Sequence, residues 1–179
     1  MLLNEAFLKR ESCRGYQSTP VERDKLARVL EAARLAPSAS NGQPWRFTVV
    51  TNPELLRQLS DACQGLGINA WMYQAPCIIA VWEQIEERVV KRYGDRYLNG
   101  QWSAIDTGLT VSHLCLQAAQ EGLGTCIVGW FDQDALKPLL GIPDSAKLRL
   151  LIPIGYPKSD APPRTKVRRP IEEMVTFLE

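Results

Sequence analysis

The chain reads as one domain that mixes helices with strands, three to five strands alternating loosely with the helices. Three observations carry that expectation. Leu26, Val29, Leu30 and Ala33 recur at helical spacing, which gives a core-facing stripe. Cys77 to Trp82 is an unbroken apolar run behind a proline, the pattern of a central strand covered on both faces. Finally, 179 residues with 45% hydrophobic and 23% charged side chains suit one soluble core and are short for two, so residues 1–179 are expected to form a single domain.

Charge and cysteine usage narrow the function classes. Lys plus Arg number 21 against 20 Asp plus Glu, a net charge of +1. No broad basic field is available for nucleic acid, so any cluster of arginines has to be read as a site. Met1 to Arg10 is too polar for a signal peptide, and no segment is long enough to cross a bilayer, so no membrane association is expected. The five cysteines are odd in number and scattered, without zinc or redox spacing. A reduced cytoplasmic setting follows as the expectation.

Taken in order, Leu2, Leu3, Ala6 and Phe7 suit the inner face of a short first helix that Gly15 can end. Arg10-Glu11-Ser12-Cys13-Arg14 lies at that junction. Two guanidinium groups and a hydroxyl suit a phosphate, and a solvated turn is the plainer alternative. Thr19-Pro20-Val21-Glu22 reads as a capping box for the second helix. Arg46 to Thr51 is a strand candidate, and Asn52-Pro53 caps a third helix with Leu55, Leu56, Leu59 and Cys63 inward. Gly65-Leu66-Gly67 breaks that helix, and Ile68 to Tyr73 forms a short one.

Residues 83–100 are charged and aromatic, a solvated helix or a substrate-shaping insertion. Ser103 to Gly122 is a long helix apolar on most faces, and in a chain this small a dimer contact accounts for that economically. Its His113 has no nucleophile or metal partner in the sequence and reads as a packing residue. Thr125 to Val128 is a short apolar run. Asp132 and Gly141 bound a further helix, and Leu148 to Ile154 is the last strong strand. A basic tail from Ala161 to Pro170 follows, and Ile171 to Leu178 reads as an amphipathic end.

Between the second helix and the first strand lies Ala36-Pro37-Ser38-Ala39-Ser40-Asn41-Gly42-Gln43-Pro44-Trp45. Two prolines stiffen it, Trp45 anchors it, and its hydroxyls and amides offer many donors and acceptors. A loop held this firmly between packed elements is a binding candidate. Elsewhere the usual catalytic constellations are missing. Gly65-Leu66-Gly67 and Gly122-Leu123-Gly124 lack the rest of a dinucleotide pattern, and no Ser/His/Asp, paired-carboxylate or metal spacing stands out. Any difficult chemistry is then carried by a cofactor.

Arg10 to Arg14, the Ala36 to Phe47 segment, Ile152-Pro153-Ile154-Gly155-Tyr156-Pro157 with Lys166-Val167-Arg168, and the helix from Asp106 to Gly122 together resemble the FMN-dependent nitroreductase family. The resemblance implies an α+β fold: a mostly antiparallel central sheet wrapped by helices, in an intertwined homodimer with FMN at the subunit contact. Arg10, Ser12 and Arg14 would hold the phosphate and ribityl chain, with Lys166 and Arg168 completing the clamp. Pro37, Ser38, Ala39, Ser40 and Asn41 would reach the flavin from the partner subunit, with Gln43 nearby. Val128 and Gly129 would lie against the ring, a backbone amide facing N5. The implied reaction is ping-pong: NADH or NADPH reduces FMN, then a small electron-poor acceptor takes the reducing equivalents, without an enzyme nucleophile. Proteins on this scaffold reduce nitroaromatics or quinones, dehalogenate iodotyrosines or fragment the flavin. A flavin carrier or sensor on the same scaffold is the alternative.

Overall fold

A computed structural model describes residues 3–64, 68–94, 101–158 and 164–179. Four strands, β1 (Trp45–Val50), β2 (Cys77–Glu83), β3 (Gly124–Thr125) and β4 (Lys147–Gly155), form one antiparallel sheet in the order β1-β2-β4-β3. Around it lie helices α1 (Leu3–Lys9), α2 (Arg23–Arg34), α3 (Pro53–Asp61), α4 (Glu87–Tyr93), α5 (Gln101–Gln120) and α6 (Gln133–Leu140). The fold is α+β, as the resemblance implied.

β2 reads as a continuous apolar run because helices cover both faces of the sheet. Ile78 and Ala80 point into one core layer with Leu59, Leu136 and Leu151, beneath α3 and α6. Cys77, Ile79 and Val81 point into the other with Val29, Leu114, Ala118 and Ile152, beneath α2 and α5. A side chain of this size contributes about 1.5–3 kcal/mol when fully buried. One bulge adjusts the pattern: Val81 pairs with Leu150 but Trp82 with Leu148, leaving Arg149 as an extra residue. Leu148 and Leu151, three apart, therefore share a face.

Local signals decide several boundaries. The Asn52 side chain accepts from Leu55 N (3.0 Å) and starts α3. Asp132 accepts from the amides of Asp134 and Ala135 and starts α6, which Gly141 ends at φ 64. The expected capping box at Thr19-Pro20-Glu22 does not form. α2 begins at Arg23, and the carboxylate of Glu22 accepts from the Tyr156 hydroxyl (2.6 and 2.9 Å), beside Lys25. That tertiary hydrogen bond replaces the local one and lowers the carboxyl pKa of Glu22.

The first helix stops at Lys9, well before Gly15, because the Cys13 amide donates to Thr125 O (2.9 Å) and Ser12 pairs alongside Thr125. Ala6 is its buried residue, and Phe7, expected inside, is half exposed. Ile68 to Tyr73 gives only a 3-10 turn, at Ala70–Gln74. The expected amphipathic end gives a single 3-10 turn at Ile171–Glu173, with Met174, Phe177 and Leu178 in solvent. The solvated helix expected within residues 83–100 is α4, which buries Val89, while 95–100 and the expected break at Gly65-Leu66-Gly67 lie outside the described residues. His113 packs against α2 with Nδ1 3.3 Å from the Ala32 carbonyl oxygen, a structural position.

Candidate functional site

The segment from Arg10 to Arg14 is held extended by its pairing with Thr125. Extended chain alternates its side chains, so Cys13 turns inward while Arg10, Ser12 and Arg14 stay wholly or partly at the surface. Two features fix Cys13. The Tyr16 hydroxyl donates to the Cys13 carbonyl (2.9 Å) and contacts that of Pro153 (3.1 Å), and burial raises the pKa of this phenol. Gly124 leaves room for the thiol, since a Cβ there would sit 2.7 Å from both Cβ and Sγ of Cys13. Burial likewise raises the pKa of Cys13 and Cys126. Arg14 beside Cys126 and Arg10 beside Cys115 act in the opposite direction, which puts both guanidinium groups by the β3 end of the sheet.

The basic tail returns to this segment. Arg164 donates to the Ser12 carbonyl and lies 4.0 Å from the carboxylate of Glu11. The Lys166 ammonium donates to the carbonyls of Phe7 (3.2 Å) and Leu8 in the last turn of α1, where a cation is favoured. Arg168 donates to the neighbouring Val167 carbonyl (2.8 Å). Both chain ends thus meet, in a protein with a net charge of +1; beside them Arg10, Cys13 and Ala119 line a cavity of about 180 Å³. Arg164 was not singled out in the sequence, where one more arginine in a basic tail carries no distinguishing signal.

The second group of candidates lies in the 37–43 loop. Ser40, Asn41 and Gln43 have φ of 52, 53 and 43, the left-handed region that side chains disfavour. Bonds inside the loop fix its shape: Ser38 Oγ accepts from the Gln43 amide (3.0 Å), and Gln43 Nε2 donates to Asn41 Oδ1 (2.9 Å). Three bonds fix its place. The Ala39 amide donates to Asp106 Oδ1 (3.0 Å), the Ser40 and Tyr93 hydroxyls share a hydrogen bond, and the Gln84 amide donates to the Pro44 carbonyl (2.8 Å). Asp106 and Tyr93 were missed in the sequence. The available signal was a lone carboxylate on a helix with no other Asp, Glu, Lys or Arg.

Val128 and Gly129 follow β3. Val128 is buried, and both its backbone groups bond to Leu151 (2.9 Å each). Gly129 is exposed, so of the two it is the residue whose backbone faces outward.

The structure brings Arg10, Ser12, Arg14, Lys166, Val128 and Gly129 to the β3 and β4 side of the sheet. The loop residues Pro37, Ser38, Ala39, Ser40, Asn41 and Gln43 lead into β1 at the opposite edge. The two groups also sit at opposite ends of α5: Asp106 ties the loop, whereas Ala119 lines the cavity with Arg10. Thirteen residues of helix separate those points, about 20 Å at the α-helical rise. One chain therefore holds the two groups of candidates well apart. A larger cavity of about 540 Å³, between α2, α3 and the 70–74 turn, includes none of these residues.

Comparison with known proteins identifies the family. The model of the nitroreductase family matches residues 8–69 and 64–156. A protein named NADH dehydrogenase from Thermus thermophilus is 30% identical over 96% of this chain and 94% of its own length. An iodotyrosine deiodinase from Nematostella vectensis is 27% identical over 97% of this chain and 74% of its own. Among solved structures, an FMN-dependent nitroreductase from Clostridium difficile R20291 superposes with a TM-score of 0.74 at 28% identity, covering 97% of this chain and 98% of that one. With the family model spanning most of its length and a relative this similar over nearly the whole, the chain belongs to the nitroreductase family.

Proposed function

We propose that this protein is an FMN-dependent oxidoreductase that takes reducing equivalents from NADH or NADPH and passes them to a small electron-poor acceptor of nitroaromatic or quinone type. The observation that carries the reading is the convergence of both chain ends on one cationic surface, across the helix from a strained polar loop. The donor set fits the cofactor. A phosphate dianion calls for charge-assisted donors, and Arg10, Arg14 and the Ser12 hydroxyl supply them at one place. Lys166 extends the basic rim from the other chain end and Arg164 holds Ser12 by its carbonyl, while Arg168, bonded only to Val167, is assigned to the rim by the resemblance alone. When bound, FMN supplies hydride acceptance and donation at its ring, which accounts for the absence of a nucleophile and base pair in the sequence. Val128 is committed to Leu151, so the backbone amide offered to the ring is that of Gly129.

The same geometry calls for a homodimer. Trp102, Ile105 and Leu109 lie exposed along one face of α5, Ile105 at 60%. Pairing this face with itself about a two-fold axis runs the two copies antiparallel. With the axis near the middle of α5, between Asp106 and Ala119, the loop at the start of one α5 would face the phosphate half at the end of the other, which would close the gap of about 20 Å. Pro37, Ser38, Ala39, Ser40 and Asn41, with Gln43, serve the flavin whose phosphate the partner holds. Among the described residues no helix is long and apolar enough to cross a membrane, and all five cysteines are free thiols. Both features support a reducing, cytoplasmic setting.

Anaerobic titration of the purified protein with NADH and then NADPH tests the reading. The expected result is a yellow protein whose flavin absorption is bleached by at least one donor and recovered by a nitroaromatic or quinone. Protein that cannot be reconstituted with FMN refutes it. Stoichiometric FMN that neither donor reduces favours the carrier or sensor.

A further inference from the structure

We propose that Asp106 and Tyr93 are positioning residues that hold the 38–43 loop in its flavin-facing conformation, an inference that rests on the proposed reading of that loop. Three residues with side chains sit in the left-handed region within four positions, at Ser40, Asn41 and Gln43. Such a backbone persists only where its surroundings over-determine it. The bonds among Ser38, Asn41 and Gln43 define the turn but would travel with it. Placement relative to the rest of the molecule requires external ties.

Asp106 is one of them. It is 3% exposed, within a buried polar stripe at the start of α5 that also holds Ser103, Thr107 and Thr110. A buried carboxyl is costly unless hydrogen-bonded, and here it accepts from the Ala39 amide at 3.0 Å. An apolar residue there would leave the Ala39 amide without this acceptor. Tyr93 is a second, apart from the Gln84–Pro44 and Arg46–Gln43 bonds where the loop enters β1. It closes α4 and shares a hydrogen bond with Ser40, the first of the left-handed residues. Its ring lies 6.3 Å from that of Trp102 at 60°. Trp102 and Asp106 occupy adjacent turns of α5, so both ties lead back to the start of the same helix. α4 is thereby a brace for the loop, which gives the poorly legible insertion after β2 a role.

The test uses the flavin-loaded variants Asp106→Leu, Tyr93→Phe and Ser40→Ala, each close in shape to the residue it replaces, with Asn41→Ala as the comparison inside the loop. FMN dissociation constants, the visible circular dichroism of bound flavin and the far-ultraviolet spectrum are read for each. Asp106→Leu, which removes the acceptor, and Tyr93→Phe are expected to weaken FMN by roughly tenfold apiece and to change the visible dichroism, with far-ultraviolet spectra unchanged. Tyr93→Phe and Ser40→Ala should be strongly non-additive, because they remove two ends of one bond. If Asp106→Leu does not fold, that surface pair decides the matter. Wild-type affinity and dichroism in either Asp106→Leu or Tyr93→Phe, while Asn41→Ala disturbs both, overturns the two-point support and leaves the flavin-facing loop standing. If Asn41→Ala also changes nothing, the reading of the loop itself fails, and the inference fails with it.

Discussion

Two half-sites at opposite ends of α5 make a counting prediction about mixed dimers. One parent carries Arg10→Ala with Arg14→Ala and so lacks the phosphate half. The other carries Ser38→Ala with Asn41→Ala and lacks the loop half. A charge-assisted hydrogen bond is worth about 1.5–3 kcal/mol. Losing two of them therefore weakens FMN by roughly two to four orders of magnitude, enough to leave the first parent colourless at micromolar concentrations. The loop parent is expected to lose most of its flavin as well.

If each flavin sits between the phosphate half of one chain and the loop half of the other, a heterodimer has one site with both lesions and one with none. Differently tagged chains, co-expressed and isolated as the heterodimer, should bind about half the FMN of the wild type. Random one-to-one mixing makes about half of all dimers heterodimers, so about a quarter of sites are intact. Flavin absorbance against protein concentration reads this directly, and diaphorase activity should track it. The separation of about 20 Å along α5 is the premise. Zero recovery in the purified heterodimer, with the dimer itself shown intact by light scattering, means that both halves of a site come from one chain, and the two-half-site reasoning is then wrong.

Gly155→Ala is expected to destabilise by about 1–3 kcal/mol, because a Cβ would lie 2.7 Å from Pro76 Cδ and 3.1 Å from Tyr16 Cδ1; denaturant unfolding measures it. Gly129→Ala meets only Leu150 at 3.7 Å and should leave the unfolding midpoint unchanged while shifting the flavin reduction potential, measured by dye equilibration. Asn52→Ala removes the α3 cap and should cost about 1 kcal/mol, a fall of about 2–4 °C in Tm by calorimetry. All five thiols are buried, and burial pushes Cys63 and Cys77 up to about 12. Thiolate is the reactive form, so labelling by iodoacetamide at pH 8 should reach none of them before unfolding, as read by mass spectrometry.

Legibility in the sequence followed the range of the interaction responsible. β2 was readable because two covered faces leave a continuous apolar run, and α6 because Asp132 and Gly141 act within a few residues of themselves. The loop was readable because Pro37, Asn41, Gln43 and Pro44 advertise a stiff polar turn on their own. The failures all involve partners distant in the chain. Thr19-Pro20-Glu22 has the composition of a capping box, but Tyr156, 134 positions from Glu22, takes the carboxylate. Nothing in the sequence marked Gly124 and Gly155 as packing residues, yet what requires them is the close approach of Cys13 and Pro76. Asp106 reads as an ordinary helix acid until the fold sets it under Ala39. The long helix combines both cases. Its apolar character was plain, and its cause is now divided between two faces: Val111, Leu114, Cys115 and Ala118 pack the core, and Trp102, Ile105 and Leu109 do not. A helix that holds the loop proposed to face the flavin at one end, lines the cavity with Arg10 at the other and leaves an apolar face exposed has a stake in all three tasks. Polar substitution at Ile105 should accordingly lower dimerisation and flavin content together, whereas a face exposed by chance would let the two vary separately.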